Sequence, residues 1–565
     1  MSPADLGPPS DPKPSRPARV GPVAGWVLAA IAVAAAVALL YGPALRLWWT
    51  YDDFYCLHLI RGAPLLASFS SAAWRQSGMF TPLLLVSFAT DLRVFGLRPG
   101  LFYAHQLLSL ALAALALFAV LRLWLPRRLA LFASLLFLAG APISAWAQEL
   151  LVRHYVEGLI LAAASVWLFV AGLRDRRALL AVISAACYFA ASLEKEVYVP
   201  VIALLAALPE RDRRSRFRAL VPHAIALAAY LAWRLAEVGS LTAAQGWTIR
   251  AADLPSLLLR LPERIGASLA GSGWPAAALL SAGLAVGLGA AVVRRRGAAL
   301  LLGWSLLLAA APVFLVVQSF HPRYAGLPWL VLVVGFTFGL GNLVARNGSR
   351  RALSWLVAAA VVAGTLAANR AAWSSRYALA WRMSTEGRFF LGMAGGDLLR
   401  HPAIPAAAMN ELRWLKESAL RLPAGGGWFA DDLFLCEPAR PVTRVFEYRA
   451  SSGRVEDVGS ELPRIRSDYC ARLRDAPLWG DFSHRGGDFF WSLGPYPDGT
   501  YSIVYGEGVE RFDVVRSGGY RHHADLFTLR LRYQSPEGWI TFSPDIPLDF
   551  RAASSIRWER PAHKS

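Results

Sequence analysis

The sequence predicts an all-α polytopic membrane bundle of about eleven transmembrane helices, followed by a C-terminal extracytoplasmic α/β domain that is mainly β-sandwich-like. Three observations lead there. The 565 residues are 56% hydrophobic and only 17% charged, too little charge for a soluble chain of this size. The apolar residues come in blocks of about 20, the length a helix needs to cross a ~30 Å hydrocarbon core. Every second loop between those blocks is basic, as cytoplasmic loops are.

Taken in order, residues 1–21 read as a disordered cytoplasmic tail, Pro-rich with Lys13, Arg16 and Arg19. The block Val23–Tyr41 is too long for a signal-peptide core and lacks a small-residue cleavage site, so an uncleaved anchor is expected. Ten further spans are predicted: Tyr103–Leu123, Leu129–Trp146, Gly158–Leu173, Leu179–Leu193, Val197–Leu208, Leu220–Ala236, Ala276–Val293, Leu300–Val317, Leu327–Val344 and Leu353–Ala368. The basic loops fall at Arg122–Arg128, Arg174–Arg177, Arg211–Arg218, Arg294–Arg296 and Arg346–Arg351. Their alternation makes the N-terminus cytoplasmic and everything after Ala368 extracytoplasmic. The transmembrane domain is thus expected over 22–368. The net charge of +19 belongs to these loops and does not imply nucleic-acid binding.

Between the first two spans a Pro-bounded stretch, Phe80–Phe95, is amphipathic and suited to the membrane surface. Residues 369–565 form the outer domain, helical to about Arg421 and then strand-like. In Leu526–Tyr533, Phe527, Leu529, Leu531 and Tyr533 share one face and Thr528, Arg530 and Arg532 the other. Pro497-Asp-Gly499 is a turn signal between two strands, Phe489–Leu493 and Tyr501–Tyr505. Cys436 and Cys470 could pair if this domain lies in an oxidising compartment. Asp431–Asp432 reads as a turn, and His522–His523 has no partner at metal-ligand spacing.

Ionisable groups at membrane depth are expensive and usually functional, and several gather in the predicted outer turns. Asp52–Asp53 follows the first span. Adjacent carboxylates can share the work of taking a proton from an acceptor hydroxyl and orienting it or holding a divalent cation; they can equally cap the next helix. Glu194-Lys195-Glu196 is a charged triplet in a short turn, either self-neutralised or offering Lys195 to a lipid phosphate. The turn 148–157 carries Glu149, Arg153, His154 and Glu157. His321-Pro-Arg323-Tyr324 offers an arginine able to clamp phosphate or to anchor at the interface.

These motifs, in this order, resemble the GT-C glycosyltransferases, multi-span enzymes that use polyprenyl-phosphate sugars. The likeness is nearest to the membrane portion of transmembrane O-mannosyltransferases with tetratricopeptide repeats. The matching elements are Asp52-Asp53, Pro82-Leu83, Ser87-Phe88, Asp91, Phe95-Gly-Leu97, Lys195-Glu196 with Pro200, Trp233-Arg-Leu235, and Arg323-Tyr324 with Leu327-Pro328. They span about residues 22 to 345. Thr81, Glu194 and Ala141-Pro142 depart from the pattern, and the repeats are replaced by the outer domain. The resemblance implies a polyprenyl-phosphate sugar as donor, Asp52 as base with Asp53 beside it, and Lys195, Arg323 and Arg153 on the lipid phosphate. Glu196, Glu157, Tyr324 and His154 would support them. Direct attack from the Asp52 side would invert the anomeric carbon; the acceptor does not carry over with the resemblance and is expected to be a protein or an envelope glycan, while the arginine- and alanine-rich composition suggests a bacterium and hence its inner membrane. No cofactor is required by the resemblance; a divalent cation, if used, would fall to Asp52 and Asp53.

Besides a non-enzymatic scaffold or sensor built on the C-terminal domain, which deleting the residues after about Asn369 while following transfer would test, two rival readings are weaker on the residues. A ligase or polymerase acting on a diphosphate-linked glycan needs a large late outer loop, and 321–324 is small. A transporter needs charges or broken helices at mid-membrane, and these spans are nearly free of charge apart from Arg234.

Overall fold

The computed structural model describes residues 22–50, 53–61, 63–70, 80–208, 210–239, 254–270, 281–286, 321–344, 349–436, 444–485, 488–505, 510–521 and 526–560, with a few isolated residues between 278 and 305. The spans expected at 276–293 and 300–317 fall largely outside these, as do the tail 1–21 and His522–His523.

The membrane part runs α1 (Pro22–Tyr41), α2 (Asp53–Ile60), α3 (Pro82–Phe95), α4 (Pro99–Leu121), α5 (Arg127–Leu138), α6 (Ala141–Gln148), α7 (Arg153–Asp175), α8 (Ala178–Glu194), α9 (Val201–Ala207), α10 (Arg213–Val238), α11 (Leu254–Ala270), α12 (Gly326–Val344) and α13 (Ser349–Gly392). Among the described residues six helices are long and apolar enough to cross a membrane, or seven if a bent pair is one span. The chain is a multi-pass membrane protein. The amphipathic stretch is α3, which turns Leu84, Leu85, Phe88 and Asp91 inward.

The span expected as one helix over 129–146 is broken. α5 and α6 meet at 65°, because Pro142 has no N–H to continue the α5 ladder. A break among apolar helices strands backbone carbonyls, which need partners. Here three polar side chains supply them. Tyr41 Oη donates to Leu138 O at 2.5 Å, Trp329 Nε1 to Phe137 O at 3.0 Å, and Asn369 Nδ2 to Gly140 O at 3.0 Å. Position 140 must be glycine, since a Cβ there would lie 2.1 Å from Trp329 Nε1.

The described basic loops meet at one end of the bundle. Arg174 reaches Glu210 at 2.6 Å and the Leu123 carbonyl at 3.3 Å, and Trp124 Nε1 donates to Glu210 at 2.8 Å. The acidic and cationic turns gather at the other end. The chain returns from that end to the basic end through the apolar stretch Glu196–Ala207, twelve residues or about 18 Å of helix. A full crossing needs about 30 Å. The segment after Lys195 is thus shorter than a full crossing, and Lys195 itself is buried.

α13 has 44 residues, about 66 Å, so it passes through Ala368 without interruption and carries the C-terminal domain on its far half. Its last carbonyls, which have no intrahelical partner, are held by a buried lysine. Lys416 Nζ donates to Phe390 O at 3.3 Å, Met393 O at 2.6 Å and Gly425 O at 2.8 Å. The domain also leans on α2 through α14 (Ala406–Trp414) and the turn after it: His58 lies 3.2 Å from Glu411 and Arg61 donates to Ser418 O at 3.1 Å.

Three sheets follow. The first joins β1 (Asp397–Arg400), β2 (Gly427–Phe429), β3 (Arg444–Arg449) and β4 (Arg454–Asp457) in the order β2-β1-β3-β4, with β1 parallel to both neighbours. The other two are antiparallel. They comprise β5 (Leu478–Arg485), β6 (Asp488–Gly494), β7 (Thr500–Tyr505), β8 (Glu510–Val514), β9 (Ser517–Arg521), β10 (Leu526–Gln534), β11 (Ile540–Phe542), β12 (Ile546–Asp549) and β13 (Ser555–Arg560). Their orders are β11-β10-β7-β8, with β12 also on β10, and β13-β5-β6-β9. The two antiparallel sheets share one core that includes Phe482, Phe489 and Leu493 from one and Ile503, Leu529 and Leu531 from the other.

Two details differ from the sequence reading. Pro497-Asp-Gly499 joins β6 to β7, but these strands lie in different sheets. With Pro495 and Pro497 lacking N–H groups the connection crosses the core instead of closing a hairpin, and Tyr533 pins it by donating to Asp498 O at 2.8 Å. Arg532, on the expected solvent face of β10, is buried because the sheet containing β10 packs that face on the first sheet's helices.

That packing is organised by the acidic turn. Asp431 lies 3.0 Å from Arg532 Nε and 3.2 Å from Arg511 and accepts a bond from Tyr469. Asp432 pairs with Arg400 at 2.5 Å and His401 at 3.0 Å. The Cys436–Cys470 disulfide staples the two flanking helices, α15 (Leu433–Cys436) and α16 (Leu462–Cys470). Burial alone raises the Asp432 carboxyl, but the hydrogen bonds and charge of Arg400 and His401 outweigh it and hold the group at about 2. A depressed folded-state value stabilises the domain above the ordinary carboxylate range near 4 and loses that stability as pH falls toward 2, about 2 kcal/mol in all. Acid unfolding should therefore steepen below pH ~4 in the parent and flatten there in Asp432→Asn, followed by circular dichroism.

Candidate active site

Asp52 lies outside the described residues. Asp53 opens α2 and is buried. Its Oδ2 accepts the Thr50 N–H at 2.9 Å, three residues before the helix, where an N-cap would instead accept an N–H from the helix's own first turn. Its Oδ1 accepts the Leu151 N–H at 3.0 Å, a bond 98 residues away in sequence that moors the 148–157 turn to the start of α2. Tyr103 reinforces the seam, its hydroxyl lying 3.2 Å from Trp48 O and 3.1 Å from Gln148 O.

Around that turn the charged residues form two groups. The first is recessed behind α7. Arg153 is fully buried and its donors are engaged: Asp91 at 2.5 Å, Ser87 at 3.2 Å, Gln106 at 3.3 Å and the Phe102 carbonyl at 2.9 Å. Phe88 lies 5.0 Å beneath the guanidinium. Asp91 is shared with His105 at 2.8 Å. Glu157 accepts from Ser87 at 2.9 Å and lies 3.6 Å from His105. Arg153, expected on a donor phosphate, instead holds α3, α4 and α7 together. The driving force is Asp91, an acid on the buried face of α3 that needs a full counter-charge.

The second group lines the rim. Glu149 is flanked by Arg323 at 3.1 Å, Arg376 at 3.4 Å and His321 at 3.5 Å. His321 Nδ1 accepts the Arg323 N–H at 3.4 Å, so its other nitrogen faces Glu149. Trp146 Nε1 donates to the Arg323 carbonyl at 2.9 Å, and Tyr324 lies against Tyr155 with ring centres 6.4 Å apart. Lys195 pairs with Glu196 at 3.1 Å, and Glu196 feels the charge of Arg234 from α10. His154, at the first turn of α7, lies within electrostatic reach of both Lys195 and Arg323. Thus side chains from the starts of α2 and α7 and the turns at 195 and 323 converge on one seam.

The arrangement offers Lys195 beside Glu196 and Arg323 beside Glu149, both acting electrostatically on His154, and a carboxylate-bearing helix start tied to the same turn. Cations so placed can receive an anionic leaving group. Among the described residues no group of three or more His, Cys, Asp or Glu side chains is placed to hold a metal ion.

Sequence reasoning missed Arg376, hidden by the expectation that the chain leaves the bundle at Ala368. It gave Asp91 no role, although an acid at the i+3 position from Phe88 on an apolar face is a signal for a buried partner. His105 follows from Asp91 and had no independent signal.

No protein-family profile matches the chain, and no curated protein matches it. Among solved structures it is similar to ArnT from Cupriavidus metallidurans in the apo state (15% identity, 78% of this chain and 95% of that one, TM-score 0.40). The same enzyme bound to undecaprenyl phosphate gives 15% identity and TM-score 0.39 over 78% and 95% of the two chains. The Archaeoglobus fulgidus oligosaccharyltransferase in the apo form gives 11% identity and TM-score 0.44 over 84% and 74%.

Proposed function

We propose that the chain is a GT-C-type glycosyltransferase that moves a sugar from a polyprenyl-phosphate carrier to an acceptor hydroxyl at the extracytoplasmic rim of a bacterial inner membrane. The observation that carries this reading is the convergence around the 148–157 turn: Asp53 bonded to Leu151, and His154 within reach of both Lys195 and Arg323. The Cys436–Cys470 disulfide supports an oxidising compartment for the outer domain.

In this mechanism the acceptor oxygen forms its bond to the anomeric carbon as the bond from that carbon to the phosphate oxygen breaks. The proton passes to Asp52, and charge develops on the phosphate. Lys195 and Arg323 stabilise it, with Arg376 added to the same cluster. Preset cations in a dry, recessed cavity act most strongly where charge appears. Attack from the face opposite the phosphate inverts the anomeric centre. Asp53, His154, Tyr324, Glu196 and Glu157 hold the turns in place, and Arg153 positions α7 through Asp91. The acceptor is a protein or envelope glycan.

The test is transfer of labelled sugar from a polyprenyl phosphate by purified protein. Lys195→Ala and Arg323→Ala are each expected to lower kcat about 10²–10³-fold without loss of fold. A protein that co-purifies with no polyprenyl-phosphate lipid and consumes no such sugar donor would overturn the reading.

A further inference from the structure

The layer order of the outer domain leaves one large face unassigned. The second sheet packs Val504, Ile540 and Phe542 on Tyr469 of the first sheet's helices, and its other face shares a core with the third sheet. Among the described residues, the other face of the third sheet, β13-β5-β6-β9, is therefore the open side of this stack of layers.

Its composition follows from register. Trp479 stands opposite Gly494 and Glu559; Asp481 stands opposite Ser492 and Arg557; Phe490 stands opposite Ser483 and Gly519. All of these point away from the core, because successive side chains alternate faces and direct partners share one. Each aromatic ring leans over a glycine. A Cβ at Gly494 would lie 2.2 Å from Trp479 Cε2, and one at Gly519 would lie 2.5 Å from Phe490 Cδ1. Absent side chains at 494 and 519 let the rings lie down on the sheet, half-buried, with the Arg557 guanidinium over the Trp479 ring at 5.5 Å from its centre, a cover that a ligand would displace.

Between the rings runs a polar row. Arg557 bonds Glu559 at 3.1 Å and lies 3.6 Å from Asp481, with the three side chains 60%, 50% and 44% exposed. The two rings stand four residues apart along the strand direction, roughly 14 Å.

We propose that this face binds an uncharged oligosaccharide. Arg557, the arginine between the rings, is already paired with its own acids, so it is not a free cation seeking phosphate. The rings are separated by polar groups, so there is no continuous apolar patch of the kind a protein partner buries. A sugar chain fits both features. Its C–H faces stack on separated aromatic platforms, and its hydroxyls both donate and accept, matching the carboxylates, guanidinium and serines between. The exposed Arg557 pairs are weak enough to rearrange around it. The site is independent of the proposed transfer reaction.

The test uses the full chain in detergent and four neutral probes: mannotetraose, cellotetraose, xylotetraose and chitotetraose, by titration calorimetry. At least one is expected to bind. Trp479→Ala and Phe490→Ala should each weaken it about tenfold, with Trp479→Phe retaining most of the affinity and the unfolding midpoint unchanged. If Trp479→Ala fails to fold, Arg557→Gln, an exposed change, should still shift the affinity several-fold. Binding of none of the four, or binding that survives loss of both rings, would overturn the proposal.

Discussion

Asp52→Asn is expected to lower sugar transfer by about 10²–10⁴-fold, the usual worth of a general base, with an unchanged unfolding midpoint. Asp53→Asn should behave differently. Both Asp53 oxygens accept backbone N–H groups, from Thr50 and from Leu151. An amide replaces one acceptor with a donor, so one of those N–H groups faces another donor in a buried seam. The expected cost is about 1–3 kcal/mol of stability, with activity falling because the 148–157 turn drifts from α2. Thermal unfolding in detergent read beside a transfer assay separates the two roles. Equal loss of stability in both variants, or full activity in Asp52→Asn, would reject Asp52 as the base.

The largest stability effect is expected at Arg153. In Arg153→Met the Asp91 carboxylate, only 3% exposed, keeps His105 but loses its one permanent counter-charge. Breaking a buried pair from one side costs about 3–5 kcal/mol, enough to prevent accumulation of folded protein. Removing the acid as well, in Arg153→Met/Asp91→Leu, should recover stability relative to the single variant, because no buried charge is then left alone. Arg323→Met, by contrast, leaves Glu149 with Arg376 and His321 and should fold. The pair of results distinguishes an arginine that builds the wall from one that lines the site. A double variant less stable than Arg153→Met would show that the pair is not what Arg153 serves.

Much of this was legible in one dimension, for reasons that can be named. Crossing a bilayer requires length and apolarity in a single segment, so α4, α7 and α10 could be read directly. Charge sidedness is also local, and Arg174, Glu210 and the 122–128 loop do meet at one end. Strand alternation located β10, but not Arg532's burial, which depends on what packs over the sheet. Pro142 interrupts α5–α6 by its missing N–H, yet the break is tolerated only because Tyr41, Trp329 and Asn369 arrive from three other segments.

By itself, then, the sequence determined the multi-pass bundle, the β-rich C-terminal domain and the turns where ionisable residues cluster, because hydropathy, alternation and loop charge act within a few residues of one another. Only the tertiary structure decided which of those charges are structural and which face one another. Asp91 claims Arg153, Glu149 gathers Arg323 and Arg376, and Asp53 binds Leu151 across 98 residues. Electrostatic pairing is set by distance through space in a low-dielectric interior, and no spacing along the chain encodes it.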